Sequence, residues 1–128
     1  MTKDISKEII GCAIEVHNAI GPGLLESVYQ KAMARALELK GHKVRTEVPI
    51  EFNFLGLNIA DKLRIDLLVD EYFIVELKSV EDVREVHLKQ LLTYLRLSKQ
   101  TLGLLINFNV PYLRYGIHRV VNKHYENI

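Results

Sequence analysis

The chain has a single cysteine, Cys12, so no internal disulfide can form, and a reduced, cytoplasmic setting is expected. Cys12 falls at a core-like position of a helical pattern, and a catalytic thiol there would need a histidine partner in space. No apolar run approaches the roughly 20 residues that cross a bilayer. The opening MTKDISKEII intersperses charge with apolar residues instead of showing a signal-peptide pattern. Zinc-type Cys/His spacing, a P-loop and a Gly-x-Gly-x-x-Gly fingerprint are missing. Gly21-Pro22-Gly23 is too short and wrongly placed to cradle nucleotide phosphates. No repeat, low-complexity tract or Pro/Ser-rich linker appears, so residues 1–128 read as one domain. Acids are lacking from residues 86–125, which hold six Lys and Arg and three His. Residues 46–85 instead carry ten acids against four Lys and Arg. Such segregation suggests a cation-binding region beside a phosphate-binding one, unless folding interleaves the segments.

What is present begins with RIDLLVDEYFIVELK, residues 64–78. Strand side chains alternate, and the odd positions Leu63, Ile65, Leu67, Val69, Phe73, Val75 and Leu77 are all apolar, so they face a core. Asp66, Glu76 and Lys78 then share the opposite face of one hairpin. Asp66 lies opposite Glu76 only if Val69 faces Phe73, which makes the loop Asp70-Glu71-Tyr72; a two-residue loop would put Glu76 on the wrong face. Two carboxylates can hold a hard cation, Mg²⁺ or Mn²⁺, and a lysine beside them suits hydrolysis of a phosphodiester. Alternatively, Lys78 closes a salt bridge with Glu76 or Asp66, because buried charge needs a partner.

The spacing predicts a helix over 4–20, with Ile5, Ile9, Ala13, Val16 and Ile20 on one stripe, ended by Gly21-Pro22-Gly23. A second helix follows over 24–40, with Leu25, Val28, Tyr29, Ala32 and Ala36 apolar and Gly41 past its end. Residues 43–54 read as a strand, 59–79 as the hairpin, and 82–97 as a third helix capped by Asp82 or Ser79. Strands at 101–108 and 113–121 complete the order α-α-β-β-β-α-β-β. That order predicts an α/β fold, a mixed sheet with helices on both sides.

Glu26 aligns with Tyr29, Met33 and Leu37, which predicts an inward carboxylate able to complete a metal's ligand set; a first-turn acid facing the helix dipole is the alternative. On the third helix Gln90 and Tyr94 stand one turn apart with His87 on the same side and Lys89 adjacent. A glutamine amide can bond a phosphate or base edge and a tyrosine can stack on a base, so these four are candidates for nucleic-acid binding. His17, near the first helix's stripe, is a structural histidine or a ligand competing with Glu26.

Gly23-x-x-Glu26-x-x-Tyr29 resembles the signature of the GxxExxY proteins, which are similar to the PD-(D/E)XK nuclease superfamily. Asp66 with Glu76-x-Lys78 resembles that superfamily's core motif, although Ile65 stands where the proline would be. Gln90-Leu-Leu-Thr-Tyr94 resembles the Gln-x-x-x-Tyr element of its RecB-like nuclease branch. The resemblance, from about His17 to Arg119, implies a restriction-endonuclease-like core, a Mg²⁺-dependent phosphodiesterase activity and DNA as substrate. It implies Asp66 and Glu76 as metal ligands, Glu26 or His17 beside them, and Lys78 in catalysis. A non-catalytic nucleic-acid-binding or assembly module keeping the same fold is the rival, and a homodimer or a protein partner fits either reading.

Overall fold

Apolar spacing and strand register decide how residues 3–123, which the computed structural model describes, are arranged. Helices α1 (Ser6–Ile20) and α2 (Glu26–Leu39) come first, then β1 (Val44–Pro49), β2 (Phe52–Phe54), β3 (Leu57–Ile59), β4 (Arg64–Val69) and β5 (Phe73–Lys78). Helix α3 (Glu85–Ser98) leads to β6 (Leu102–Asn107), a 3-10 turn (Leu113–Gly116) and β7 (Ile117–Val121). Five strands form one sheet in the order β1-β4-β5-β6-β7. Only β5 and β6 run parallel, and α3 supplies the crossover that parallel neighbours require.

The sheet is covered on both faces. Against α1 and α2, Leu67, Val69, Phe73, Val75 and Leu77 pack with Ile9, Tyr29, Met33 and Leu37. Against α3, Ile74 and Leu105 pack with Leu91, Tyr94 and Leu95. Helix α3 sits close because Gly103 has no side chain: a Cβ there would lie 3.0 Å from the Ile74 carbonyl oxygen and 3.1 Å from Leu91 Cδ1. Cys12 is buried in the α1 layer and has no histidine bonded to it among the described interactions.

The hairpin adopts the required register. Val69 faces Phe73, Leu68 faces Ile74 and Leu67 faces Val75, and Asp70 and Glu71 take φ values of 54° and 68° in the loop. The alternation fails at the start of the hairpin: Leu63 and Ile65 join the α3-side core with Val48, not the α1–α2 core that holds Leu67, Val69, Phe73, Val75 and Leu77. Ile65 lies next to the point where the β4–β5 ladder stops.

Other expectations need correction. The segment read as one strand over 43–54 is broken after Pro49, and β2 and β3 pair only with each other as a separate ribbon. Ile20, Leu25 and Val28 are exposed, and the buried stripe of α2 is Tyr29, Met33 and Leu37. Helix α3 begins three residues late, with Arg84 as its N-cap in place of Asp82 or Ser79; the Arg84 N–H donates to His87 Nδ1 at 3.0 Å. His124, counted with the basic segment, lies outside the described residues. No helix among the described residues is long and apolar enough to cross a membrane.

Candidate active site

Registers place the start of β4, the end of β5, the end of β6 and the start of β7 at one end of the sheet: Lys78 faces Asn107 and Ile106 faces Ile117. Here the β4–β5 ladder gives way to side chains. Beyond Leu67 and Val75, the Asp66 N–H donates to Glu76 Oε2 at 3.1 Å, and the Leu77 N–H donates to Asp66 Oδ2 at 2.8 Å. Each carboxylate is thereby held by the backbone of the facing strand. Glu76 is 5% exposed and Asp66 half-buried, and they lie on the α3 face with Ile74.

Two acids this close inside a protein cannot both be charged cheaply. Burial pushes Glu76 up to about 9, and hydrogen bonding to and repulsion from Asp66 add to it. Lys78, half-buried, pulls the other way without closing an ion pair: among the described residues no salt bridge joins it to either acid. The salt-bridge alternative is therefore not what the fold uses. A pair that otherwise needs a shared proton is suited to a divalent cation. Two carboxylates suffice for Mg²⁺, which keeps several waters and takes further oxygens from substrate phosphate.

Glu26 does not point inward. Helix α2 begins with it, and the buried stripe starts only at Tyr29. Its exposed carboxylate accepts the Ser79 N–H at 3.3 Å, which fastens the segment just after Lys78. Ser79 Oγ also donates to the Leu24 carbonyl at 2.6 Å. Tyr29 closes the turn before α2, donating to the Gly21 carbonyl at 2.6 Å and accepting the Leu24 N–H at 3.2 Å. Its ring stacks on Phe108 at 4.4 Å.

His17 is buried, and its Nε2 bonds the Val110 carbonyl at 2.8 Å. With that nitrogen committed, it packs beside Phe108 in the α1–α2 layer, across the sheet from the acid pair. Among the described residues no group of three or more His, Cys, Asp or Glu side chains is placed to hold a metal ion. Of the expected metal ligands Asp66, Glu76, Glu26 and His17, only Asp66 and Glu76 are joined to one another among the described residues.

On α3, Gln90 and Lys89 are exposed, and Lys89 lies 3.7 Å from Glu85. His87 spends Nδ1 on the helix cap. Tyr94 is 4% exposed, so its ring has no face to offer a base, and the stacking role expected of it is lost. Burial pushes its phenol up, and the Glu76 and Asp66 carboxylates contribute. The basic C-terminal segment is also less free than its sequence suggested, because Arg119 Nη2 pairs with Asp4 at 2.7 Å.

Asn107 was not singled out in the sequence. It is 2% exposed; its Oδ1 accepts the N–H groups of Val80 and Asn109, and its Nδ2 donates to the Val80 carbonyl at 2.9 Å. A lone amide in the apolar run TLGLLINF was the available signal. The profile described as the PD-(D/E)XK nuclease superfamily matches residues 3–120. No curated protein and no solved structure matches the chain.

Proposed function

The chain belongs to the PD-(D/E)XK nuclease superfamily, and from that premise we propose that it hydrolyses phosphodiester bonds in DNA, with Asp66 and Glu76 holding Mg²⁺ or Mn²⁺. The observation that carries this reading is the acid pair itself, inserted where the β4–β5 ladder stops and, among the described residues, without a cationic side chain bonded to it. When bound, a divalent cation neutralises charge at the scissile phosphate and lowers the pKa of a water. The reaction is attack of water on phosphorus in line with the leaving 3′ oxygen.

The chain's own residues do the rest. Backbone N–H groups fix both carboxylates before substrate arrives, so little reorganisation remains at the moment of reaction. Lys78, not spent on either acid, orients the attacking water or donates to a phosphate oxygen as negative charge develops. Glu26 and Ser79 hold the backbone after Lys78 in place. Gln90, exposed on α3, is available to a phosphate or base edge.

The test is incubation of plasmid and linear DNA with the purified protein, with Mg²⁺, with Mn²⁺ and with chelator. Cutting that needs the cation, and falls about 10²–10³-fold in Lys78→Ala at unchanged melting temperature, supports the reading. Retardation of DNA without cutting under either cation overturns it in favour of a binding module.

A further inference from the structure

Tyr112 and Tyr115 are the most exposed aromatic side chains among the described residues, each 64% exposed. They are nevertheless held in a fixed arrangement. Their rings meet edge to face at 6.4 Å. The Arg114 guanidinium lies over both, 5.7 Å from the Tyr112 centroid and 4.9 Å from that of Tyr115, and donates to Tyr115 Oη at 3.2 Å. Among the described residues Arg114 has no carboxylate partner, so its charge is not cancelled.

The turn that carries them is stiff. Leu113 is buried in the α1–α2 core, and the Tyr115 N–H donates to the Tyr112 carbonyl at 3.1 Å. Gly116 lies so close to the Asn107 carbonyl that a Cβ would collide with it. The same Asn107 faces Lys78 in the β5–β6 ladder and grips Val80. Tyrosines and acid pair therefore belong to one end of the sheet, joined through a buried strut.

We propose that Tyr112, Arg114 and Tyr115 form a base-stacking platform for an unpaired stretch of DNA, which directs the nuclease to strands with single-stranded ends or tails. Exposed ring faces accept any base, and a cation beside them attracts phosphate, so binding is tolerant of sequence. Inside a duplex the faces of the bases are already covered by their neighbours, which leaves only unpaired bases to stack. That the platform directs a nuclease rests on the function proposed above; the binding itself does not.

The test uses the full chain with chelator, so that nothing is cut. Anisotropy of a labelled oligothymidylate should show binding about tenfold or more tighter than to a blunt duplex of equal length. The double variant Tyr112→Ala, Tyr115→Ala should lose about tenfold or more of that affinity, while Tyr112→Phe, Tyr115→Phe keeps it. Arg114→Met, which leaves both rings in place, should weaken binding and flatten its salt dependence. Wild-type affinity in a folded double Ala variant overturns the platform, as does equal loss in the Phe pair. Self-association that the Ala variant abolishes, with no oligothymidylate binding, also overturns it by giving the patch to a second copy. Stacking without metal-dependent cutting leaves the platform standing and removes the nuclease reading. Cutting in which the Ala variant keeps the wild-type preference between tailed and blunt DNA removes the platform alone.

Discussion

The two ends of the β4–β5 hairpin both carry acids and treat them in opposite ways. At the loop end Asp70 bonds His42 Nδ1 at 2.6 Å and accepts the Lys43 N–H at 2.9 Å. Glu71 meets Lys43 Nζ at 3.1 Å and Arg45 Nη1 at 3.0 Å, and Glu8 lies 3.3 Å from His42 Nε2. At the other end Asp66 and Glu76 have backbone N–H groups and each other. Charge answered by opposite charge is the signature of structure. An acid answered by a second acid, and fixed in place, leaves room for a cation from outside.

The largest effect that could break this contrast is functional. Asp66→Asn should lower cation-dependent cleavage about 10²–10³-fold with little change in melting temperature. Asp70→Asn should do the reverse, leaving cleavage unchanged and costing about 1–3 kcal/mol in urea denaturation, because it weakens bonds to charged groups. Equal activity in the two variants would erase the distinction.

A smaller effect separates the ends by pH. Glu76 is raised from an ordinary 4.5 to about 9, so the folded chain binds the extra proton between those values. Without a divalent cation, stability should therefore fall as pH climbs from about 4.5 towards 9. Mn²⁺ binds the deprotonated pair, and melting curves in its presence should flatten that decline. The same slope with and without Mn²⁺ would mean that no cation reaches the acids.

The smallest effect belongs to the loop end. Hydrogen bonding to Asp70 holds the half-buried His42 above its usual 6.5, and its burial opposes this. Its contribution is complete below 6.5 and is lost as pH rises through the folded value. Asp70 has the opposite sign: its carboxyl is held below 3.8 by His42 and the Lys43 N–H despite burial, so its contribution disappears in acid. His42→Gln should remove the step above pH 6.5 and cost about 1–2 kcal/mol, with cleavage untouched. Melting temperature against pH in chelator distinguishes this step from that of Glu76.

The hairpin was legible because strict alternation leaves one register in which its apolar residues stay inside, and Val69 opposite Phe73 is that register. The three helices and the mixed sheet followed from spacing in the same way. Glu26 is the first-turn acid of the alternative reading and not an inward carboxylate, because periodicity reports a stripe and not where burial along it begins. Tyr94 matched a motif, yet its ring is core, since a helix crossing between parallel strands buries the face that carries it. The β2–β3 ribbon was hidden by the similar composition of residues 43–49 and 52–54 on either side of the break at Pro49. Arg119, in the basic segment expected to bind phosphate, instead pairs with Asp4, more than a hundred residues earlier. Long-range pairing of this kind leaves no local trace.

Asn107 has a mechanical consequence. Its amide works as donor and acceptor at once, so the chain leaving β5 and the chain leaving β6 cannot shift independently. Aspartate would lose the donor, and leucine would leave half-buried backbone groups of Val80 and Asn109 without these bonds. The ends of β5 and β6, where Lys78 faces Asn107, are therefore tied together by a side chain that is itself 2% exposed.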